Sequence, residues 1–467
     1  METELAFGTP DSYKRAEIIY QEGGNSKSYA AVTLDEALKT DLPKGSVIMG
    51  ENEAGEVVSG RAMDQFFTGD KVIHVQYDTT SDQANHVSCR VGGLVGSSTD
   101  PLFDGCLIES GSLETTVGDA KNSLSYTYDR EVNNDNNRTL AGFSLVAEER
   151  MYRCDNCPYM DFKIFYDYYG EFDYAHQYAM ACFGSTSTNF PNGNADFKDY
   201  DYDGRTQIIK KTTAYMGAYM YVLRELEDAL DDCSQSCVTC NDDPVHAWDE
   251  AVAFYTGTYE GPNGEGSGKM FYAVADKRCA NFFTCGDKGG SMGGTSRANV
   301  EVFDQFKKGQ QNLLDGKCKE ARANKEKIAN IMHIPLIQGT LRYGYVKYTE
   351  QFGDKQEAEG AVFMAGVIPY VHKCNPDDAK IIYDNMKVGS GKPDFPAVKA
   401  AFERNYKCLG ITCGEVGGIY RRVEKDYYDE TRPCQDGDDV GVKQESGAHN
   451  YSVGSVTLSL LGALLLV

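Results

Sequence analysis

A chain of 467 residues has room for two or three domain-sized units, each with its own core. Its formal charge of -24, from 70 acids against 46 bases, excludes nucleic acid, whose phosphates need a basic surface, and favours cationic partners. Fifteen cysteines point to an oxidising compartment, and their odd number leaves at least one thiol unpaired or paired between chains.

In chain order, Met1–Pro10 has neither a basic nor an apolar segment of the kind a signal peptide needs. Ser12–Lys39 has helical spacing on both sides of Gly23-Gly24, so residues 1–44 read as an N-terminal helix pair. Residues 45–150 change character. VIHVQYD (72–78), HVSCRVGGLV (86–95), SLSYTYDRE (123–131) and TLAGFSLVAEE (139–149) cluster β-formers between turn residues and predict a β-rich subdomain, with Cys89 and Cys106 placed to staple it. The polar turn 133–137 carries the sequon Asn137-Arg138-Thr139 and suits a glycan at Asn137.

Helical periodicity then dominates residues 151–423. Residues 158–183 predict helix, glycine turn, helix, and the acidic loop 191–204 lacks the spacing of a calcium loop. Thr206–Asp232 is the clearest long helix, because Ile208, Thr212, Tyr215, Tyr219, Val222 and Leu226 form one stripe. Cys154-x-x-Cys157 and Cys237-x-x-Cys240 have the spacing of two zinc half-sites, but the scattered remaining cysteines favour disulfides. Further helices are expected over 269–285, 299–318, 325–352 (bent or split at Pro335) and 394–406. The fold class expected is therefore α+β, mostly a helical bundle with glycine-turn helix pairs. Residues 424–452 read as an acidic stalk. The apolar run Val453–Val467 reads as a hydrophobic anchor, either a glycolipid-attachment signal or a short membrane helix.

The stretch 243–261 carries the most chemistry. Asp243 can cap a helix opened by Pro244, on which His246, Asp249 and Glu250 share one face. Tyr255 and Tyr259 add phenols, and imidazole, carboxylate and phenolate together suit ferric iron, although a surface ion pair is the plainer reading of His246 and Glu250. A weak internal repeat relates TAYMGAYMY (213–221) to TLRYGYVKY (340–348), and the helix-glycine-helix segments at Tyr20, Tyr166 and Tyr348 to one another. A pseudo-two-fold of that kind would set Glu357 or Glu359 opposite His246 and Glu250.

EGGNSKSYA (22–30), DYYGEFDYA (167–175), KTTAYMGAYMYVLRELEDALDDC (211–233), VHAWDEAVAFYTG (245–257), DKRCANFFTC (276–285) and MHIPLIQGTLRYGYVKY (332–348) together resemble the phytotransferrins, iron-starvation-induced surface proteins of marine algae. The resemblance implies a non-catalytic cell-surface protein that binds Fe3+ with carbonate and carries it inward by internalisation. His246-x-x-Asp249-Glu250 is also similar to the His-x-x-Glu motif of helical periplasmic iron-uptake proteins. The ligand set expected is His246, Asp249, Glu250, Tyr255, Tyr343 and Glu359, with Arg342 and Arg278 on the anion. A metal-dependent enzyme and a structural or adhesion protein of the cell surface are the competing readings.

Overall fold

The computed structural model describes residues 1–22, 29–52, 55, 57–77, 107–118, 120–128, 139–235, 244–257, 268–291, 294–350 and 352–436. The fold is α+β and mostly helical, as the sequence predicts. After α1 (Glu2–Leu5) and α2 (Pro10–Glu22), six strands form a closed antiparallel barrel: β1 (Tyr29–Leu34), β2 (Val47–Glu51), β3 (Val57–Ala62), β4 (Val72–Tyr77), β5 (Ser110–Val117) and β6 (Ala120–Thr127). Their order round the barrel is β1-β4-β3-β2-β5-β6, closed by β1 on β6. Alternate residues point inward, as two-residue periodicity requires, so Ile48, Val58, Ala62, Ile73, Val75 and Leu113 fill the interior. Gly50 lies there too, because a Cβ would stand 2.4 Å from Leu107 Cδ2.

Two sequence expectations fail at this unit. The second helix of the N-terminal pair is instead β1, whose Ala30-Ala31-Val32 pairs with Val75-His74-Ile73 of β4. Residues 139–149, expected as strand, contain α3 (Gly142–Leu145), followed by a π-helical turn at Glu148–Tyr152. Residues 86–95, Cys89, Cys106 and Asn137 lie outside the described residues.

The helical body follows. It comprises α4 (Met160–Tyr169), α5 (Tyr174–Phe183), α6 (Tyr202–Thr212), a π-helical turn (Thr213–Ala218), α7 (Tyr219–Ser234), α8 (Pro244–Thr256), α9 (Phe271–Phe282) and α10 (Arg297–Leu314). It continues with α11 (Cys318–Thr349), α12 (Asp354–Ala365), α13 (Ile368–Cys374), α14 (Pro376–Met386), α15 (Phe395–Asn405) and α16 (Cys413–Val416), and ends in the ribbon β7 (Tyr420–Arg421) and β8 (Asp426–Tyr427). Gly170, at φ +78°, makes the left-handed turn between α4 and α5, where a Cβ would also collide with Pro191. The stripe from Ile208 to Leu226 is buried throughout.

The axis of this body is α11. It runs through Pro335 without splitting, so of the two expected effects of that proline the split does not occur, and every residue from Ile331 to Thr340 is buried. Packing by α7, α9, α10, α12 and α15 on its several sides supplies what one lost backbone bond removes. The stalk expected from 424 is folded as far as 436: Thr431 is buried and Cys434 pairs with Cys413. Four other cystines, Cys154–Cys157, Cys233–Cys318, Cys279–Cys285 and Cys374–Cys408, fit the expected oxidising compartment, and Cys182 is a buried free thiol. Cys154 and Cys157 bond each other rather than offering half of a zinc site. Cys237, Cys240 and Val453–Val467 lie outside the described residues, among which no helix is long and apolar enough to cross a membrane.

Candidate functional site

Helix α8 does not gather its predicted ligands. His246 and Glu250 form an exposed pair, Nε2 to Oε1 3.6 Å, and Asp249 accepts a hydrogen bond from Gln310 at 3.0 Å. Tyr255 is on the buried side, where its hydroxyl donates to Asn299 Oδ1 at 2.7 Å. A turn of about 100° per residue explains the split: positions 246, 249 and 250 share one face, and 248, 251 and 255 the opposite one. Trp248 seals that inner face, donating from Nε1 to the Phe306 carbonyl at 3.0 Å and lying over Gly309, where a Cβ would stand 2.0 Å from the ring. Helix α8 is thus packed as a structural helix, and its exposed acids face away from Tyr255. Asp243, Tyr259 and Gly261 lie outside the described residues.

Three of the remaining predicted residues do meet. Arg278, Tyr343 and Glu359 line a cleft of ≈340 Å³ whose other walls include Gln207, Lys210, Lys211, Tyr215, Lys277, Lys355 and Phe363. Each helix contributes along its own four-residue rows: Gln207, Lys211 and Tyr215 from α6 and the π-helical turn, Val274 and Arg278 from α9, and Lys355, Glu359 and Phe363 from α12. The π-helical turn shifts the register of this face, a distortion that often marks functional sites. No residue of α8 lines the cleft, so the expected opposition of Glu359 to His246 and Glu250 is not formed.

The electrostatics are unlike those of the rest of the chain. Among the described residues, Lys210, Lys211, Lys269, Lys277, Arg278 and Lys355 face only Glu2 and Glu359 as acids in the cleft lining. Lys211 donates to Glu359 Oε1 at 2.8 Å, and burial, partly offset by Glu359, brings its ammonium down to about 8. Burial would raise the Glu359 carboxyl, but Lys211 and a hydrogen bond from Tyr343 hold it below its ordinary value. The Tyr343 phenol is pushed up to about 12 by burial and by Glu359, against the opposing charge of Arg278. The Arg278 guanidinium sits 5.9 Å from the ring centres of both Tyr343 and Phe363. Its Nε and Nη1 are buried with no hydrogen-bond partner, and burial lowers its pKa. Such orphaned donors cost roughly 1–3 kcal/mol each unless something accepts from them. Arg342 does not line the cleft; its guanidinium lies over the Tyr343 ring, 6.0 Å from the ring centre.

A second polar centre lies where α4, α7 and α11 meet. Lys325 bridges Asp161 and Glu227, Tyr370 donates to Asp161 at 2.9 Å, and the buried His333 ring packs 4.2 Å from that of Tyr370. Burial brings the His333 imidazole down to about 4, with Asp161 opposing. An unfolded histidine titrates near 6.5, so as pH falls the unfolded chain takes up the proton first. Its contribution to stability is full above about pH 6.5 and is lost progressively towards pH 4, by about 3 kcal/mol in all. Urea midpoints measured across that window should fall less steeply for His333→Leu than for wild type; parallel profiles would acquit His333.

Among the described residues, no three His, Cys, Asp or Glu side chains gather closely enough to hold a metal ion by themselves. The chain matches no family model, no curated protein and no solved structure.

Proposed function

We propose that this protein is a cell-surface receptor that captures ferric iron with carbonate, in the manner of the phytotransferrins it resembles, and that the Arg278 cleft is the binding site. The observation that carries this reading is the orphaned Arg278 guanidinium beside a phenol and a carboxyl. Ferric iron favours anionic oxygens. The Tyr343 phenolate and the Glu359 carboxylate would supply two of them, while carbonate would accept from Arg278 and complete the set. Because the free phenol holds its proton to about 12, loading must expel that proton. Affinity therefore falls as pH falls, which suits discharge in an acidic vesicle after internalisation. The cystines support an extracellular setting, and the apolar C-terminal run suits anchorage to the membrane.

The test is ferric titration of the full chain with and without bicarbonate, for wild type, Tyr343→Phe, Arg278→Gln and His246→Ala. Binding should require bicarbonate, show a tyrosinate-to-iron absorption band that Tyr343→Phe abolishes, and weaken at least tenfold in Arg278→Gln, with His246→Ala unchanged. Tight binding lost only in His246→Ala would return the site to α8. No tight binding would leave the adhesion reading standing, and turnover of a substrate by the metal-loaded protein the enzymatic one.

A further inference from the structure

We propose that the cleft accepts a polycarboxylate hydroxy acid, so that ferric iron can arrive already chelated as well as with carbonate; the iron half of this statement rests on the reading above, the polyanion half does not. A single carbonate occupies a small fraction of ≈340 Å³, a volume within the range typical of small-molecule pockets.

Charge points the same way. One ferric ion, one carbonate and one phenolate sum to zero, and would leave the six cations of the cleft opposed, among the described residues that line it, only by Glu2 and Glu359. Lys211 pairs with Glu359 and Lys269 lies 3.7 Å from Glu2, whereas Lys210, Lys277, Arg278 and Lys355 have no carboxylate within ion-pair distance among the described residues. These cations are graded by depth: Lys269, Lys277 and Lys355 are exposed at the rim, while Lys211 and Arg278 are half-buried beside Tyr343. A ligand carrying several carboxylates on separate arms matches that gradient, with one arm on Arg278 and others at the rim. In a chain of net charge -24, such a patch also focuses anions that the remaining surface repels.

Glu359 decides the chemical class. As a carboxylate it only accepts hydrogen bonds, so it repels sulfate, which has no proton to offer, and welcomes a ligand hydroxyl; phosphate can offer a hydroxyl but has no separate arms to reach the rim lysines. A hydroxy acid presents both a donor for Glu359 and acceptors for Arg278 and the lysines.

The experiment is calorimetric titration of iron-free full-length protein with citrate, and with phosphate and sulfate at matched ionic strength. Lys277→Glu and Lys355→Glu stand beside Arg278→Gln, because exposed rim positions can be reversed without loss of folding. Citrate should bind at least tenfold tighter than phosphate or sulfate, weaken at least tenfold in Arg278→Gln and severalfold in each rim variant, and weaken as salt rises. Equal binding of all three anions would overturn the hydroxy-acid class. No citrate binding alongside tight ferric binding with bicarbonate would overturn this inference and leave the proposed function intact. Citrate binding without any ferric binding would do the reverse.

Discussion

Lys325→Met is expected to destabilise the protein by about 3–5 kcal/mol, because it leaves two buried carboxylates with no cation between them. Lys325 is 4% exposed, and its ammonium joins three helices by bonding Asp161 of α4 and, at 2.6 Å, Glu227 of α7. Burial alone would pull that ammonium down, yet the two carboxylates outweigh it and hold it above the ordinary lysine range. Arg322 covers the other Glu227 oxygen at 3.0 Å, and Tyr370 the other Asp161 oxygen. After the substitution one acid must protonate or the helices must part. The penalty should therefore shrink in acid, where protonation is cheap, and should largely vanish when Asp161→Asn and Glu227→Gln are added. Urea unfolding of the single and triple variants measures this directly. A single-variant loss below about 1 kcal/mol would mean that water already reaches the trio.

Where local pattern and tertiary packing agree, the sequence was readable. The stripe from Ile208 to Leu226, the turn at Gly170 and the helix after Pro244 all appear where spacing puts them. Strand β1 was not readable, because Tyr-Ala-Ala-Val has no strong local preference and becomes strand only by pairing with β4, about forty residues on. Helices α13 and α14 went unread although Asn375-Pro376 carried the signal: the Asn375 side chain accepts from Asp377 N and Asp378 N, and Pro376 opens the next turn.

The site divides in the same way. His246, Asp249 and Glu250 drew attention because they share one helix face within five residues, and that face is exposed. The cleft draws its residues from several helices far apart in sequence, and Lys211, Lys277 and Lys355 look in sequence like ordinary solvated lysines. Only the need for a cation opposite an anion, and the internal repeat, pointed to Arg278, Tyr343 and Glu359.

Glu357 and Glu359, which the repeat left interchangeable, are expected to separate cleanly by substitution. Glu357 is 6% exposed, and it accepts from Lys347 Nζ at 2.9 Å, from the Tyr200 hydroxyl, and from the amides of Gly389 and Gly391 at 3.2 and 3.0 Å. It thus ties the turn after α14 to α11 and α12. Glu357→Ala strands a fully buried lysine together with two amides, and should cost about 3–5 kcal/mol while leaving ferric affinity of the folded protein unchanged. Burial opposes its ionisation, but Tyr200 and Lys347 bring the carboxyl below its ordinary value. Its stabilisation is therefore present above about pH 4.5 and is lost as pH falls through the lower folded value, a loss that Glu357→Ala should lack. Glu359, two positions on and therefore turned towards the cleft, should behave oppositely. Glu359→Gln keeps the shape and a hydrogen-bond acceptor for Lys211, so stability should fall by only about 1–3 kcal/mol. Ferric affinity should nevertheless drop at least tenfold with the lost anionic oxygen. If Glu357→Ala weakened iron binding while Glu359→Gln left it untouched, the metal would belong with the buried Lys347 pair, and the cleft would hold an anion alone.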